Sequence, residues 1–399
     1  MSNTTSLKNI SRAQEKLSSY SNDSKSKLRT LFVSHTYVVG INQGKLDAIA
    51  SNKNVEVGLL VPEKWKARGW SQIHNLEETC SNIKYYPAKV FFNGRNGAYI
   101  YSLKSLLHAV KDFKPDLIQI EEEVFSLSTF EIAIWAKFTN TPLVVFVWEN
   151  MLDRSIPTFR QWTCQFVLDT ARLIVAGNED GKKILQKWGY KGKIEVMPQM
   201  GVNPNVFCPQ LRNSQERDFT IGYMGRTIHR KGLDILFAAA QQLRQKGYSF
   251  KIVVCGSGRD SDTLQQEARK LEIEDLILWK EKVPHEEVPH EMGQFDVLVL
   301  PSRTVENWRE QFGHILIEAM SMGIPVVGST CGEIPYVIGR EDLVFPEEDS
   351  ESLAVILQKA MDEPQWLEQV GQYGLERVDK YYTHQSIASR LTEQWSQLV

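Results

Sequence analysis

Residues 295–332 read FDVLVLPSRTVENWREQFGHILIEAMSMGIPVVGSTCG, and this stretch decides the predicted fold. The two short apolar runs FDVLVLPS and IPVVGS are typical of buried parallel strands. The segment GHILIEAMSM between them is apolar around most of its circumference, which predicts a buried helix that ends at Gly323. A strand, a helix and a second parallel strand form the repeating unit of a doubly wound α/β domain.

The start of this helix is the place where a ligand is expected. In an open parallel sheet, ligands bind outside the carboxyl ends of the strands, where helix N-termini present free amide groups. Gly313 and His314 open the predicted helix, so an anionic group is expected beside them. Glu310 precedes the helix and Glu318 lies within it, where a buried carboxylate needs partners such as ligand hydroxyls. The alternative is structural, with Glu310 favoured by the helix dipole and Glu318 paired to a nearby Arg.

A second group of candidate residues follows the segment TIGYMG. Gly225 and Arg226 come directly after this predicted strand, and Lys231 lies just before the next helix. Two cations at a strand end and a helix N-terminus suit a diphosphate, although surface cations are the alternative. Gly256 and Gly258 follow the next predicted strand, KIVVCG, where a ligand-contacting loop and a plain turn are both compatible with the sequence.

Strand-like and helix-like segments alternate along the rest of the chain. After the polar segment PNVFCPQLRNSQERD a second series of strand-like runs begins, so the sequence predicts two similar α/β domains. The predicted strands of the first series cover residues 28–34, 55–62, 116–120, 142–148, 173–177 and 193–198. Those of the second series are TIGYMG, KIVVCG, LILW, DVLVLPS and PVVGS.

The motifs EQFGHILIE and GR followed by KG together resemble the retaining glycosyltransferases of the GT-B fold, family 4 (glycosyl transferases group 1). The resemblance implies that Glu318 binds the ribose of a nucleotide sugar and Glu310 the hydroxyls of its sugar. It assigns the phosphates to Arg226 and Lys231, and makes Glu310 with these two cations the catalytic set. The remaining donor-binding residues implied by the resemblance are Gly313, His314, Gly225, Gly256 and Gly258.

The implied reaction moves a sugar, with retention, from a nucleotide-diphosphate sugar to a hydroxyl of a lipid, a glycan or a small molecule. No cofactor and no metal are expected. The implied architecture is GT-B, with two doubly wound Rossmann-like domains facing a central cleft. Their expected bounds are residues 1–200, with a polar tail over 1–27, and residues 201–379. A hinge is expected near 198–218, and the helix at about 380–399 is expected to pack on the first domain.

The acceptor is expected on the first domain, where the resemblance is weaker. His35 follows the first predicted strand, and IQIEEEVFS places three consecutive acids at the end of another. A solvated turn is the alternative interpretation of these acids. The acceptor-side candidates are His35, Glu122, Glu123, Glu149 and Asn150.

The sequence is also compatible with other functions. A GT-B protein that binds a nucleotide sugar without transferring it is one alternative, and a GT-B epimerase or phosphorylase is another. The acids Asp260 and Asp262 imitate a metal-binding DxD motif, but they precede an amphipathic stretch and are interpreted as helix capping. GINQGKL, at residues 40–46, lacks the spacing and the Ser or Thr of a phosphate-binding P-loop.

Composition narrows the class of protein. The chain is 42% apolar and 24% charged, as is ordinary for a globular protein, and its five cysteines form no CxxC pair. These features, together with a polar N-terminal segment and no long apolar run, favour a cytoplasmic protein. No nucleic acid partner is expected.

The two halves of the chain differ in charge. Basic residues outnumber acids by 26 to 19 in residues 1–200, whereas acids outnumber bases by 30 to 20 in residues 201–399. Solvated surface explains this difference, and contact with either an anionic membrane or an anionic acceptor is the other interpretation. Such contact is predicted to use aromatic residues of the first domain, namely Trp65, Trp70, Phe91 and Phe92.

Overall fold

The computed structural model describes residues 27–66, 73–153, 155–156, 158–211 and 218–399. Residues 1–26 of the tail predicted over 1–27, Trp70 and part of the predicted hinge lie outside the described residues. The described residues fall into two compact units. The first lies within Met1–Val147, Ile156–Val175 and Ile387–Val399, and the second comprises Trp148–Ser155 and Ala176–Ser386.

The first half of the chain builds one large sheet. Its strands in chain order are β1 Leu28–Val33, β2 Val55–Pro62, β3 Ile83–Ala88, β4 Leu117–Glu121, β5 Leu143–Val147, β6 Leu173–Ala176 and β7 Lys193–Val196. Over the described residues their spatial order is β3-β2-β1-β4-β5-β6-β7. The pairs β1–β2, β2–β3, β1–β4 and β4–β5 are parallel. The order reverses at β1, as in a doubly wound fold.

The second unit contains a sheet of the same design. Its strands are β8 Phe219–Met224, β9 Phe250–Cys255, β10 Ile277–Lys280, β11 Val297–Leu300, β12 Val326–Ser329 and β13 Val344–Phe345. They are arranged as β10-β9-β8-β11-β12-β13, and each neighbouring pair is parallel. The five strands predicted from the second series of apolar runs are confirmed. The switch in strand order falls between β8 and β11.

Helices connect the strands in both units. They are α1 Gly44–Ala50, α2 Leu103–Phe113, α3 Leu127–Thr139, α4 Thr158–Thr170, α5 Glu179–Lys187, α6 Leu233–Gln245, α7 Ser261–Lys270, α8 Val288–Met292, α9 His314–Ser321, α10 Ile334–Ile338, α11 Ser350–Asp362, α12 Pro364–Tyr381 and α13 His384–Trp395. None of those in the described part of the chain combines the length and apolar character needed to cross a bilayer.

The last helix, α13, lies mostly in the first unit. The indole Nε1 of Trp395 is fully buried there and donates to Gln119 Oε1 on β4 at 3.0 Å. A buried indole N–H needs such an acceptor, so this bond fixes the end of the helix against the sheet.

Candidate functional site

The candidate site lies where the sheet of the second unit switches direction. The loop after β8 carries Arg226, Arg230 and Lys231, and the loop after β11 carries Glu310. Because β8 and β11 are neighbouring parallel strands, their carboxyl ends lie at the same edge of the sheet. This is the part of a doubly wound domain where ligands bind.

Glu310 is the centre of the site. Its carboxylate oxygen Oε2 lies 2.6 Å from Lys231 Nζ and accepts a hydrogen bond from Ser302 Oγ at 2.8 Å. The Glu310 and Lys231 side chains are 11% and 15% exposed, so they pair largely away from water. Two of the predicted catalytic residues, which are 79 positions apart, are therefore in direct contact.

The backbone of Glu310 is fixed by three neighbours. Its N–H donates to Cys331 Sγ at 3.4 Å, and its carbonyl accepts from Glu333 N at 3.1 Å and from Asn150 Nδ2 at 3.2 Å. Gly332 has φ +57°, and a Cβ added there would lie 2.0 Å from Glu310 O. A glycine is therefore required for the loop after β12 to pack this closely on Glu310.

The loop that supplies Lys231 carries two further cations, and an indole packs against two of the three. The guanidinium of Arg230 and the ammonium of Lys231 lie 4.5 and 5.1 Å from the centre of the Trp308 ring. Arg230 Nε is buried and has no hydrogen-bond partner in the described residues. Arg226 is exposed, while its carbonyl accepts from the Tyr223 hydroxyl at 2.7 Å. This loop therefore brings three positive charges close to Glu310.

The helix α9 begins beside this cluster, as predicted. Gly313 precedes it with φ +84°, a left-handed conformation that glycine adopts without strain. His314 is the first helical residue, and its ring packs 4.9 Å from Phe312 and 6.3 Å from Trp148. Burial lowers the pKa of His314 to about 4, against an opposing effect of Glu310. The imidazole is therefore neutral at pH 7.

Glu318 lies one turn after His314 on the same face of α9. Burial raises the pKa of its carboxyl group to about 7. Within the described residues no hydrogen bond or ion pair of this side chain is found, so the alternative of a structural pair with Arg is wrong for the described part of the chain. Because the side chain is partly buried and has no partner there, a ligand hydroxyl that reaches it can supply the missing hydrogen bond.

The loop glycines bring neighbouring loops together. A Cβ added at Gly256, where φ is +132°, would lie 2.0 Å from the carbonyl oxygen of Gly225. One added at Gly258 would lie 2.3 Å from Thr227 O. These glycines therefore let the loop after β9 pack against the loop that carries Arg226.

The predicted acceptor-side residues of the first unit form a separate cluster. Glu122 Oε1 lies against His35 Nδ1 and accepts from Tyr99 Oη at 2.7 Å. Glu121 is buried and pairs with Lys45 Nζ at 2.5 Å. The interpretation of these acids as a solvated turn is therefore wrong for Glu121 and Glu122. Glu123 is partly buried, and its carbonyl accepts from Thr129 Oγ1 at 2.9 Å.

Two other acceptor-side candidates lie in the second unit. Glu149 Oε1 accepts from the backbone N–H groups of Asn150 and Met151 at 3.2 and 3.0 Å. This local bonding holds the turn that directs Asn150 Nδ2 to the carbonyl of Glu310. The structure thus brings Asn150 together with the predicted donor residues.

The capping role predicted for Asp260 needs correction. Asp260 is the residue before α7, but its carboxylate does not cap that helix. Instead, Asp260 Oδ2 accepts from the backbone N–H of His229 at 2.7 Å. The side chain therefore holds the loop that carries the cations. No group of three or more potential metal ligands occurs in the described residues.

Several residues of the site escaped sequence reasoning. Ser302, Trp308 and Gly332 contact the Glu310–Lys231 pair from loops whose positions depend on the folded sheet. Arg230 stands beside Lys231 in the sequence, so its basic character was the only signal available. Asn150 is a candidate from the sequence, but only for the acceptor side. Its contact with Glu310 could not be predicted, because the two residues are 160 positions apart.

Known proteins resemble the part of the chain that contains this site. Residues 209–377 match the family model described as glycosyl transferases group 1. Over 168 residues the chain is 31% identical to the amylovoran biosynthesis glycosyltransferase AmsK of Erwinia amylovora, and the match covers 41% of each chain. The chain spans about half the length or less of this and other curated relatives that it matches.

Solved structures resemble the chain over nearly its full length. Sucrose-phosphate synthase from Thermosynechococcus elongatus superposes with a TM-score of 0.68 at 19% identity, covering 93% of this chain and 99% of that one. Anabaena Alr3699/HepE in complex with UDP-glucose superposes with a TM-score of 0.61 at 18% identity, covering 92% and 99%. The predicted GT-B fold class is therefore confirmed, and the segment that matches group 1 glycosyl transferases contains Glu310 and both loops of the candidate site.

Proposed function

We propose that the protein is a glycosyltransferase that moves a sugar, with retention and without a metal ion, from a nucleotide-diphosphate sugar to a hydroxyl acceptor. The observation that carries this proposal is the contact between Lys231 and Glu310 beside the start of α9. Relatives named as glycosyltransferases, and a similar structure that binds UDP-glucose, support it.

The chemical task at such a site is to stabilise a departing diphosphate. As the bond between the anomeric carbon and the phosphate oxygen breaks, negative charge grows on the diphosphate. Arg226, Lys231 and the amide groups at the start of α9 supply positive charge to it. In this proposal Lys231 turns from Glu310 to the phosphate, and Glu310 then accepts hydrogen bonds from the sugar hydroxyls.

The other groups have simpler roles. Glu318 accepts a hydrogen bond from a ribose hydroxyl, which would give its unpartnered carboxylate a donor. His314 stays neutral and contributes its backbone N–H. The acceptor oxygen bonds to the anomeric carbon on the face that the phosphate leaves, and the acceptor proton passes to the leaving phosphate oxygen, so no separate base is required.

The test is to incubate the protein with a panel of nucleotide sugars and hydroxyl acceptors, with and without a chelator. We expect release of a nucleoside diphosphate that survives chelation, and a product whose anomeric proton coupling matches that of the donor. Inverted configuration would contradict retention, and activity that needs added metal would contradict the proposed charge balance. Binding without release by any donor would favour a nucleotide-sugar-binding protein.

We also propose peripheral contact between the first unit and an anionic membrane. Of the aromatic residues predicted to make this contact, Phe91 and Phe92 are 58% and 57% exposed. Trp65 is only 5% exposed, so it cannot insert into lipid. The packed helices α3 and α4 also expose Phe138, Phe159 and Trp162, at 88%, 78% and 67%. Aromatic side chains of this kind favour the interface of a bilayer.

Cations accompany these aromatic residues. The ammonium of Lys137 lies 4.8 Å from the Phe166 ring centre, and the Arg160 guanidinium lies 5.7 Å from that of Phe159. Vesicle flotation should therefore show binding that rises with anionic lipid and falls with salt. Phe159→Ser with Trp162→Ser should abolish it, whereas the control pair Leu278→Ser and Val355→Ser, two exposed apolar residues of the second unit, should not. Absence of wild-type binding at low salt would contradict the proposal.

A further inference from the structure

A cavity of about 1130 Å³ lies in the first unit, next to His35. Four basic side chains line it, and its described lining includes no carboxylate. The remaining polar lining is mainly the amides of three asparagines. The basic residues are His35, Lys66, His74 and Arg95.

The inner wall of the cavity is a fixed imidazole. Glu122, whose side chain is 5% exposed, lies against His35 Nδ1 and also accepts from the His35 backbone N–H at 3.3 Å. The ring of His35 stacks 4.5 Å from Trp65 and meets Tyr99 edge to face at 5.7 Å. These contacts occupy Nδ1 of the imidazole and place two aromatic rings against it. They leave Nε2 without a hydrogen-bond partner in the described residues.

The outer wall carries the two longer cations. Asn93 Oδ1 accepts from Lys66 N at 3.0 Å, and Asn93 Nδ2 donates to Lys64 O at 2.7 Å. This clamp joins the segment of Lys66 to the turn that contains Arg95. Within the described residues neither cation has an ion-pair partner.

Other cations of this unit contrast with these two. Arg29 pairs with Asp116 at 2.8 Å, and Lys84 pairs with Asp112 at 2.6 Å. Lys66 and Arg95 instead face a cavity whose described lining has no acid. Their charge is therefore available to an anionic ligand.

We propose that this cavity binds an acceptor that carries both hydroxyl groups and an anionic group, either phosphate or carboxylate. This inference rests on the proposed transfer to a hydroxyl and names the class of compound that supplies it. Lys66 and Arg95 bind the anion. His35, oriented by Glu122, hydrogen-bonds through Nε2 to a hydroxyl of the same molecule.

Calorimetry without any donor tests the cavity by itself, with glucose 6-phosphate, glucuronate and glucose as probes. Wild-type protein should bind both anionic probes at least about tenfold more tightly than glucose, because a charge-assisted contact contributes roughly 1.5–3 kcal/mol. Lys66→Ala with Arg95→Ala should remove this preference. The control pair Lys53→Ala and Lys111→Ala, which replaces exposed lysines of the same unit outside the cavity, should retain it.

A second control separates this cavity from the candidate donor site. Arg226→Ala with Lys231→Ala should leave probe binding unchanged. The proposal would be overturned if Arg226→Ala with Lys231→Ala lost probe binding, or if Lys66→Ala with Arg95→Ala kept the preference for anionic probes. It would also be overturned if wild-type protein bound neither anionic probe.

The source of the anion can be resolved by competition. Displacement of glucose 6-phosphate by vesicles of phosphatidylinositol, but not of phosphatidylcholine, would assign the anion to a lipid headgroup. Displacement by soluble sugar phosphates alone would assign it to a free metabolite.

The two proposals can fail independently. If no nucleotide sugar is cleaved although the protein prefers the anionic probes, the proposed transfer fails and the cavity assignment stands. If release is normal and the preference is absent, only the cavity assignment fails.

Discussion

The ammonium nitrogen of Lys231 lies 2.6 Å from the carboxylate oxygen Oε2 of Glu310. The pair links the loop after β8 to the loop after β11, at the point where the sheet of the second unit changes direction. A partly buried ion pair of this kind orients both side chains and can still exchange partners. An anionic ligand can compete for the lysine, and ligand hydroxyl groups can compete for the glutamate.

Glu310→Gln should separate binding from transfer. The substitution keeps the size of the side chain and removes the charge that restrains Lys231. We therefore expect nucleoside diphosphate affinity that is equal or higher, together with a fall in transfer of about 100-fold or more, the usual order for an electrostatic catalytic group. Initial rates and calorimetry measure the two effects. Glu306→Gln, in the same loop and exposed, is the control and should change neither. Parallel loss of affinity and rate would argue against the assigned role.

Glu318 should make stability depend on pH. Burial raises its pKa from 4.5 to about 7, so the folded protein holds a proton there that the unfolded chain releases. The contribution of Glu318 to stability therefore falls as pH rises from about 5 through 7 and is level above about 8, with a total of about 3 kcal/mol. Glu318→Gln removes this dependence, and its stability relative to wild type should rise between about pH 5 and about pH 8.

Urea unfolding at several pH values measures this difference. Glu368→Gln, an exposed position on α12, provides the matched control and should give a difference that does not vary with pH. The same flat result for Glu318→Gln would show that Glu318 ionises normally in the folded protein.

Lys45→Met should destabilise the first unit. The Lys45 and Glu121 side chains are 1% and 0% exposed, so removing the lysine leaves a buried carboxylate without its counter-ion. Such a change costs about 3–5 kcal/mol. Adding Glu121→Gln should recover part of the loss, because Tyr37 and Gln119 still lie within hydrogen-bonding distance. Thermal unfolding monitors both variants. The control Lys84→Met breaks the exposed ion pair with Asp112 and should barely alter the unfolding temperature. An equally small effect of Lys45→Met would show that the buried pair with Glu121 does not stabilise the first unit.

Local sequence patterns sufficed for much of the fold. The strand–helix–strand segment from β11 through α9 to β12 is predictable because its signals lie within one short stretch. Apolar runs mark the two strands, and Gly313 and Gly323 mark the ends of the helix. The strand β3 was missed because IKYYPA is interrupted by Pro87. Its position at the edge of the sheet explains why a proline is tolerated there.

The contacts within the sites were harder to predict. The segment GINQGKL lacks the spacing of a P-loop, but nothing near Lys45 in the sequence indicates a carboxylate partner 76 residues away. The same holds for Asn150 and Glu310, which the fold joins across 160 residues. Residue type and spacing select candidates, whereas pairing between distant segments depends on how the strands and loops pack.

If the loops after β8 and β11 hold a diphosphate, comparison of a nucleoside diphosphate with its nucleoside measures that interaction directly. Calorimetry compares UDP with uridine and GDP with guanosine. For at least one of these bases, wild-type protein should bind the diphosphate about 100-fold or more tightly than the nucleoside. Two charge-assisted contacts would account for this, because each contributes roughly 1.5–3 kcal/mol. Arg226→Ala with Lys231→Ala should reduce this preference to near unity. The control variant, Arg269→Ala with Lys251→Ala, replaces two cations in exposed ion pairs of the same unit and should keep the preference. An unchanged preference in Arg226→Ala with Lys231→Ala would contradict the assignment of the diphosphate to these loops.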